Sequence, residues 1–155
     1  MMSMLLNGAG ARRRSAMDYF ILWVRIAFAI HCLVSGLNYY LEFVPPPRIV
    51  VSPIMPYIAE MTRVGLYNLI KIVEIAVGFC LLFEIAVPLA LVAEFPLTVS
   101  IAYLNFFVDG EPRQLSTGAK ELFFNGFLLV AYGNYYLDML RWRAPASPFW
   151  QRREG

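Results

Sequence analysis

The chain has 155 residues, 59% of them hydrophobic and 15% charged, whereas a typical soluble domain carries about 25% charged residues. That composition argues against a water-soluble globule. The net charge of +2 comes with no basic patch interleaved with aromatics and no glycine-rich phosphate loop, so nucleic acid is not an expected partner.

Four apolar runs, Tyr19–Leu41, Val64–Phe83, Ile85–Val108 and Lys120–Leu140, each reach the roughly 20 residues that cross a bilayer as a helix. The expected fold is all-α: an integral membrane antiparallel four-helix bundle over residues 19–141, with segment 1–18 before it and tail 142–155 after it. The lipid bilayer is then the first partner. Lys and Arg in the short flanks set the orientation. Arg12, Arg13, Arg14, Arg141, Arg143, Arg152 and Arg153 fall on one side, against Arg48, Arg63, Arg113 and Lys120 on the other. This places both termini in the cytoplasm.

The N-terminal "ARRRSAM" followed by an apolar segment is read as a cytoplasmic anchor and an uncleaved first helix, because that segment is longer than a signal-peptide core. In "FAIHC" a histidine replaces the small residue of a lipid-attachment site. Cys32 and Cys80 lie in the first and second helices at different depths and are not expected to bridge. No C-x-x-C pair and no Cys/His set for a metal accompanies them, so no metal site is expected.

Between the first two helices, Pro45, Pro46, Pro47, Pro53 and Pro56 exclude a continuous helix. Ile49, Val50, Val51, Ile54, Met55 and Tyr57 suggest an ordered cap on the membrane surface or over the bundle mouth, or a loop that binds a partner. "FEIAVP" is a tight reversal marked by Glu84, with Pro88 in the first turn of the third helix. Pro96 falls inside that helix. "DGEPRQLSTGAKE" reads as a polar connection with turn residues. "VAYGNYYLDML" closes the fourth helix, with Asp138 and the following Arg141 at i, i+3. Trp142 and Trp150 are expected headgroup anchors.

Ionisable side chains inside a bilayer should face the protein interior. At about 1.5 Å rise per residue, Arg25 and Glu94 share an inner layer, His31, Lys71 and Glu74 a middle one, and Asn38, Asn105, Glu121 and Asn125 an outer one. Lys71 and Glu74 at i, i+3 can neutralise each other on one helix face, whether as a packing device or as a ligand or proton site. Those five charged residues form the candidate buried site, and the four of the outer layer are candidate ligand-binding positions. The single histidine has no partner among Met55, Met61 and Met139 for a haem within the chain. A quinone head could bond to Tyr132, Asn134, Tyr135, Asn38 or Asn105 beside an apolar groove. No catalytic residue is assigned.

The order "RIAFAIHCLVSGLNYYLEFVPPP", "LIKIVEIAVGFCLLF" and "VPLALVAEFPLTVSIAYLNFF", with Arg25, the Ser35-Gly36-Leu37-Asn38 stretch, the proline cluster, Lys71/Glu74/Gly78, Pro88 with Pro96, and "GNYYLD" closing the last helix, resembles the DoxX-like family of small four-helix bacterial membrane proteins. The likeness covers roughly residues 20 to 140. It implies the bacterial cytoplasmic membrane and a small membrane subunit or accessory of a redox complex, possible in quinone-linked electron transfer, with quinone or lipid as ligand and no cofactor held within the chain. It further implies other membrane subunits or self-association as partners. Many family members have a lysine shortly after the first helix's glycine, where this chain has Tyr39 and Tyr40. The other readings are a stand-alone small-molecule carrier and a membrane-embedded enzyme with Glu74 as acid or base.

Overall fold

A computed structural model describes residues 15–45, 52–137, 139, 140 and 142. Arg12 to Arg14, Pro46 to Val51, Asp138, Arg141, Arg143, Trp150, Arg152 and Arg153 lie outside the described residues. The described chain is all-helical, with five α-helices and no strand. Three helical stretches, Ala16–Leu41, Leu66–Phe83 and Val87–Asp109, are long and apolar enough to cross a membrane. The chain is therefore a membrane protein whose outer surface meets lipid, and Leu89, Phe107 and Val130 project outward accordingly.

Helix α1 (Ala16–Leu41) starts on a capping box in which the Ser15 hydroxyl accepts from the Asp18 amide and the Asp18 carboxylate accepts from the Ser15 amide, satisfying two amide donors of the first turn. It ends at Glu42 in the left-handed region (φ 49). The Asn38 side chain accepts from the Val44 amide at 2.6 Å, so Asn38 closes this helix end. Helix α2 (Met55–Arg63) lies within the proline-rich connection, with Pro56 in its first turn, where a missing amide proton is tolerated. Gly65 then turns the chain at φ +79, a conformation that glycine adopts without strain.

Helix α3 (Leu66–Phe83) and helix α4 (Val87–Tyr103) are joined by three residues, of which Glu84 and Ala86 have positive φ. Helix α4 runs on through Pro96, whose carbonyl accepts from Ser100 Oγ at 2.8 Å, and continues into a π-helical stretch, Leu104–Asp109.

Helix α5 (Pro112–Ala131) corrects the sequence expectation at both ends. The polar "DGEPRQLSTGAKE" is mostly helix and not a loop. Glu111 is extended and Pro112 opens the helix, where its fixed φ suits the first turn. Gly118 proves to be a contact residue: a Cβ there would meet Asn105 Cβ at 3.1 Å and Ala102 Cα at 3.3 Å. The other end stops at Ala131, nine residues short of the expected Leu140, and is followed by a 3₁₀ turn at Gly133–Tyr135.

Helix α1 packs on α3 and α5, α3 on α4, and α4 on α5. Partners ascend on one helix as they descend on the other. Asn125 meets Thr98 and Tyr136 meets Pro88, while Lys71 meets Ser35 and Glu84 meets Arg25. Both pairs of helices are thus antiparallel. The apolar core, centred on Phe28, Leu81, Leu91 and Leu128, fills the half near the α3–α4 turn. The half near α2 is more polar.

Candidate functional site

Helices α1 and α3 approach closely because Gly36 and Gly78 sit where side chains would collide. A Cβ at Gly36 would lie 2.6 Å from Ile75 Cγ1 and 3.0 Å from the Lys71 carbonyl, and one at Gly78 would lie 3.0 Å from the Ala29 carbonyl. This contact brings Ser35 to Lys71. Lys71 Nζ donates to both Glu74 oxygens, at 3.0 and 2.9 Å, and to Ser35 Oγ at 2.9 Å. It also lies 5.1 Å from the centre of the Tyr67 ring, a cation–π distance. Tyr39 packs edge-on against Tyr67, and Tyr40 donates to Asn68 Oδ1 at 2.6 Å. The two tyrosines thus support the aromatic wall around the lysine.

Across the same space, His31 Nε2 is hydrogen-bonded to Glu121 Oε1. Counting from Lys120 places Glu121 in the outer layer. The earlier start of α5 at Pro112 puts it about two and a half turns inside the helix, level with His31. Asn105, on the π stretch, is buried beside them.

Arg25 is not matched to Glu94. Its guanidinium bonds to Glu84 on the α3–α4 turn, with Nη1 2.8 Å from Oε1, and to the Tyr132 hydroxyl at 3.4 Å. Rise per residue fixes depth, but it does not fix which face of a helix a residue occupies, and Glu84 was read only as a turn marker. Glu94 is buried on α4 near Glu74, Lys71 and Glu121. Asn125 donates to Thr98 Oγ1 at 3.0 Å, fully buried between α5 and α4.

His31, Lys71, Glu74, Asn105 and Glu121 line one cavity of about 480 Å³. Ser35, Ser100, Gln114 and Thr117 add polar groups, and Leu97, Ile101, Leu104 and Ile70 supply apolar wall. Helix α2 closes one side with Met55, Tyr57, Ile58 and Met61. Ser52 Oγ donates to Asp109 Oδ2, tying the start of α2 to the π stretch. Met55, which the sequence also places in the cap, and Met61 are cavity wall. Arg25, Asn38, Glu94 and Asn125 are not among its lining. A smaller pocket of about 230 Å³ lies at the other end, between Asp18, Arg25, Glu84 and Tyr132. Asn134 and Tyr135 are exposed.

Sequence reasoning found the charged residues and expected an ordered cap where α2 lies, though not a helix; it named Ser35 only within a family motif and missed Tyr67 and Thr98. Short hydroxyl and aromatic residues inside apolar runs carry no periodic signal. Among the described residues no group of three or more His, Cys, Asp or Glu could hold a metal ion. No family model matches the chain, and no curated protein or solved structure is similar to it.

Chemically, the cavity offers hydrogen-bonding groups against a methionine- and isoleucine-rich wall. Its polar groups are internally matched: Lys71 pairs with Glu74, and His31 is hydrogen-bonded to Glu121. A charged guest would have to displace one of these pairs, whereas a neutral guest with an exposed carbonyl or hydroxyl could bond alongside them.

Proposed function

We propose that the chain is a four-helix membrane bundle, with α5 as the fourth crossing, that binds a neutral amphipathic molecule of the quinone class and serves as a small membrane subunit of a redox assembly in the bacterial cytoplasmic membrane. The observation that carries this reading is the cavity: paired polar groups and hydroxyls set among apolar side chains in one lining, and a size that suits a ring-sized head group. The fourth crossing is supported by the inward face of α5, where Gly118, Glu121, Asn125 and Leu128 are buried while Leu122, Phe123 and Val130 face outward. The redox setting rests on the resemblance of the helix motifs to DoxX-like proteins. An enzyme acting alone through Glu74 is less well supported, since both oxygens of that carboxylate are engaged by Lys71.

Binding of a short-chain quinone to the purified protein in lipid nanodiscs tests the ligand, with Leu97→Trp as the cavity-filling control. Saturable binding that is lost in L97W, with helicity unchanged, is the expected result. Equal quinone uptake by both proteins, as for simple partition into lipid, overturns it. Recovery of a stoichiometric partner from native membranes separates the subunit from a lone carrier.

A further inference from the structure

Glu94 lies on α4 outside the cavity wall, 1% exposed, and its Oε2 has no hydrogen-bond partner. The groups that face it are Glu74 and Lys71 from α3 and Glu121 from α5, and the buried thiol of Cys32 from α1 stands in the field of the same three acids. Both basic side chains near this group are already engaged: Lys71 by the two oxygens of Glu74, His31 by Glu121. Of the three carboxyl groups, that of Glu74 is bonded to Lys71 and that of Glu121 to His31, and Glu94 has no base bonded to it.

The neighbouring polar atoms do not compensate. Thr98, one turn along α4, takes the amide donor of Asn125, and Asn125 Oδ1 and Glu121 Oε2 are themselves buried without donors. Along the α4–α5 seam three side-chain oxygens, those of Glu94, Glu121 and Asn125, are thus buried without a donor. Among the described residues, one buried side-chain donor, Arg25 Nε, is unpartnered, and it belongs to the Glu84 pair near the α3–α4 turn. An ionised carboxylate in an apolar interior with no donor is strongly disfavoured, and carboxyls that share a site retain a proton between them.

We propose that Glu94 is a membrane-buried proton-binding residue: a proton on its carboxyl supplies the positive charge that the surrounding side chains lack. The site stands whether or not the cavity binds a quinone, since it needs only the side chains of α3, α4 and α5. It gives the protein a buried proton on a residue outside the lining of the polar cavity.

Infrared spectroscopy of the protein reconstituted in lipid vesicles near neutral pH reads the proton directly, through the carbonyl stretch of an un-ionised carboxylic acid. The expected result is such a band, slow to shift in D₂O, that moves on ¹³C-glutamate labelling and disappears in Glu94→Gln. Retention of the band in E94Q overturns the proposal. Its absence from the wild type, rapid exchange in D₂O, or loss when sodium replaces choline overturns it too, the last because an alkali cation then holds the place. Should E94Q fail to fold, Glu94→Asp decides: the band should persist but no longer move on ¹³C-glutamate labelling, and a band that still moves overturns the proposal.

Discussion

His31 on α1 and Glu121 on α5 are hydrogen-bonded across 90 residues of sequence. This bond ties the first helix to the last at the level of the cavity, and it occupies the histidine that would otherwise be the chain's readiest metal or haem ligand. Replacing His31 by Ala leaves a buried carboxyl without its donor, and such loss costs about 1–3 kcal/mol. His31→Ala should lower the melting temperature in detergent, while the double variant with Glu121→Leu recovers part of the loss. Equal melting of H31A and wild type would show that the pair adds no stability.

The Lys71–Glu74 pair predicts a larger asymmetry. Both groups are buried, and removal of one member of a buried pair costs about 3–5 kcal/mol because the other charge is stranded. Lys71→Met is expected to destabilise strongly, whereas Lys71→Met with Glu74→Gln is expected to fold nearly as well as wild type. Denaturant titration of the four proteins of this cycle measures the difference.

Gly36 and Gly78 set the distance between α1 and α3. Bulk at either position presses on backbone carbonyls, those of Lys71 and Ala29 at 3.0 Å, which cannot rotate away. Gly36→Val and Gly78→Val should each cost about 1–3 kcal/mol through overpacking. They should also pull Ser35 from Lys71, which weakens cavity binding. Gly126, inside α5, has open space where a Cβ would go, so Gly126→Ala is the control that should not destabilise, since alanine only gains helix propensity there.

Beyond the end of α5, the Tyr136 hydroxyl donates to the Pro88 carbonyl at 2.9 Å. Burial and then the nearby Tyr132 push this phenol above the ordinary tyrosine range. The folded protein therefore holds the proton at alkaline pH where the unfolded chain releases it. Stability from this group is intact below the ordinary tyrosine value, about 10, and falls as pH rises above it. Tyr136→Phe should lose about 1 kcal/mol at neutral pH and show a shallower alkaline decline, measured as melting temperature against pH.

Helix existence was legible in the sequence wherever an apolar run was long, because length and hydropathy alone decide what can lie in a bilayer. The first three runs match α1, α3 and α4 with its π extension closely. The fourth slipped because α5 starts in a polar segment with proline and glycine. In this setting Pro112 is an initiator and Gly118 a packing contact, and neither role differs in composition from a turn. The site followed the same division. Lys71 with Glu74 is local, fixed by i, i+3 spacing, and was found. His31 with Glu121 and Arg25 with Glu84 depend on which helix faces which and on where α5 begins. Neither quantity is present in any single run.

The π-helical stretch at Leu104–Asp109 makes chain length an ingredient of the cavity. A π turn accommodates one residue more than an α turn, and each residue advances a helix by roughly 100°. Asn105 faces inward and Phe107 outward on this widened turn, and its last residue, Asp109, takes the bond from Ser52. Deleting a single residue here would restore ordinary α geometry while swinging every later side chain of the stretch to a new bearing. The cavity wall is consequently more tolerant of substitutions at these six positions than of insertions or deletions, and related chains that keep the cavity should preserve their number.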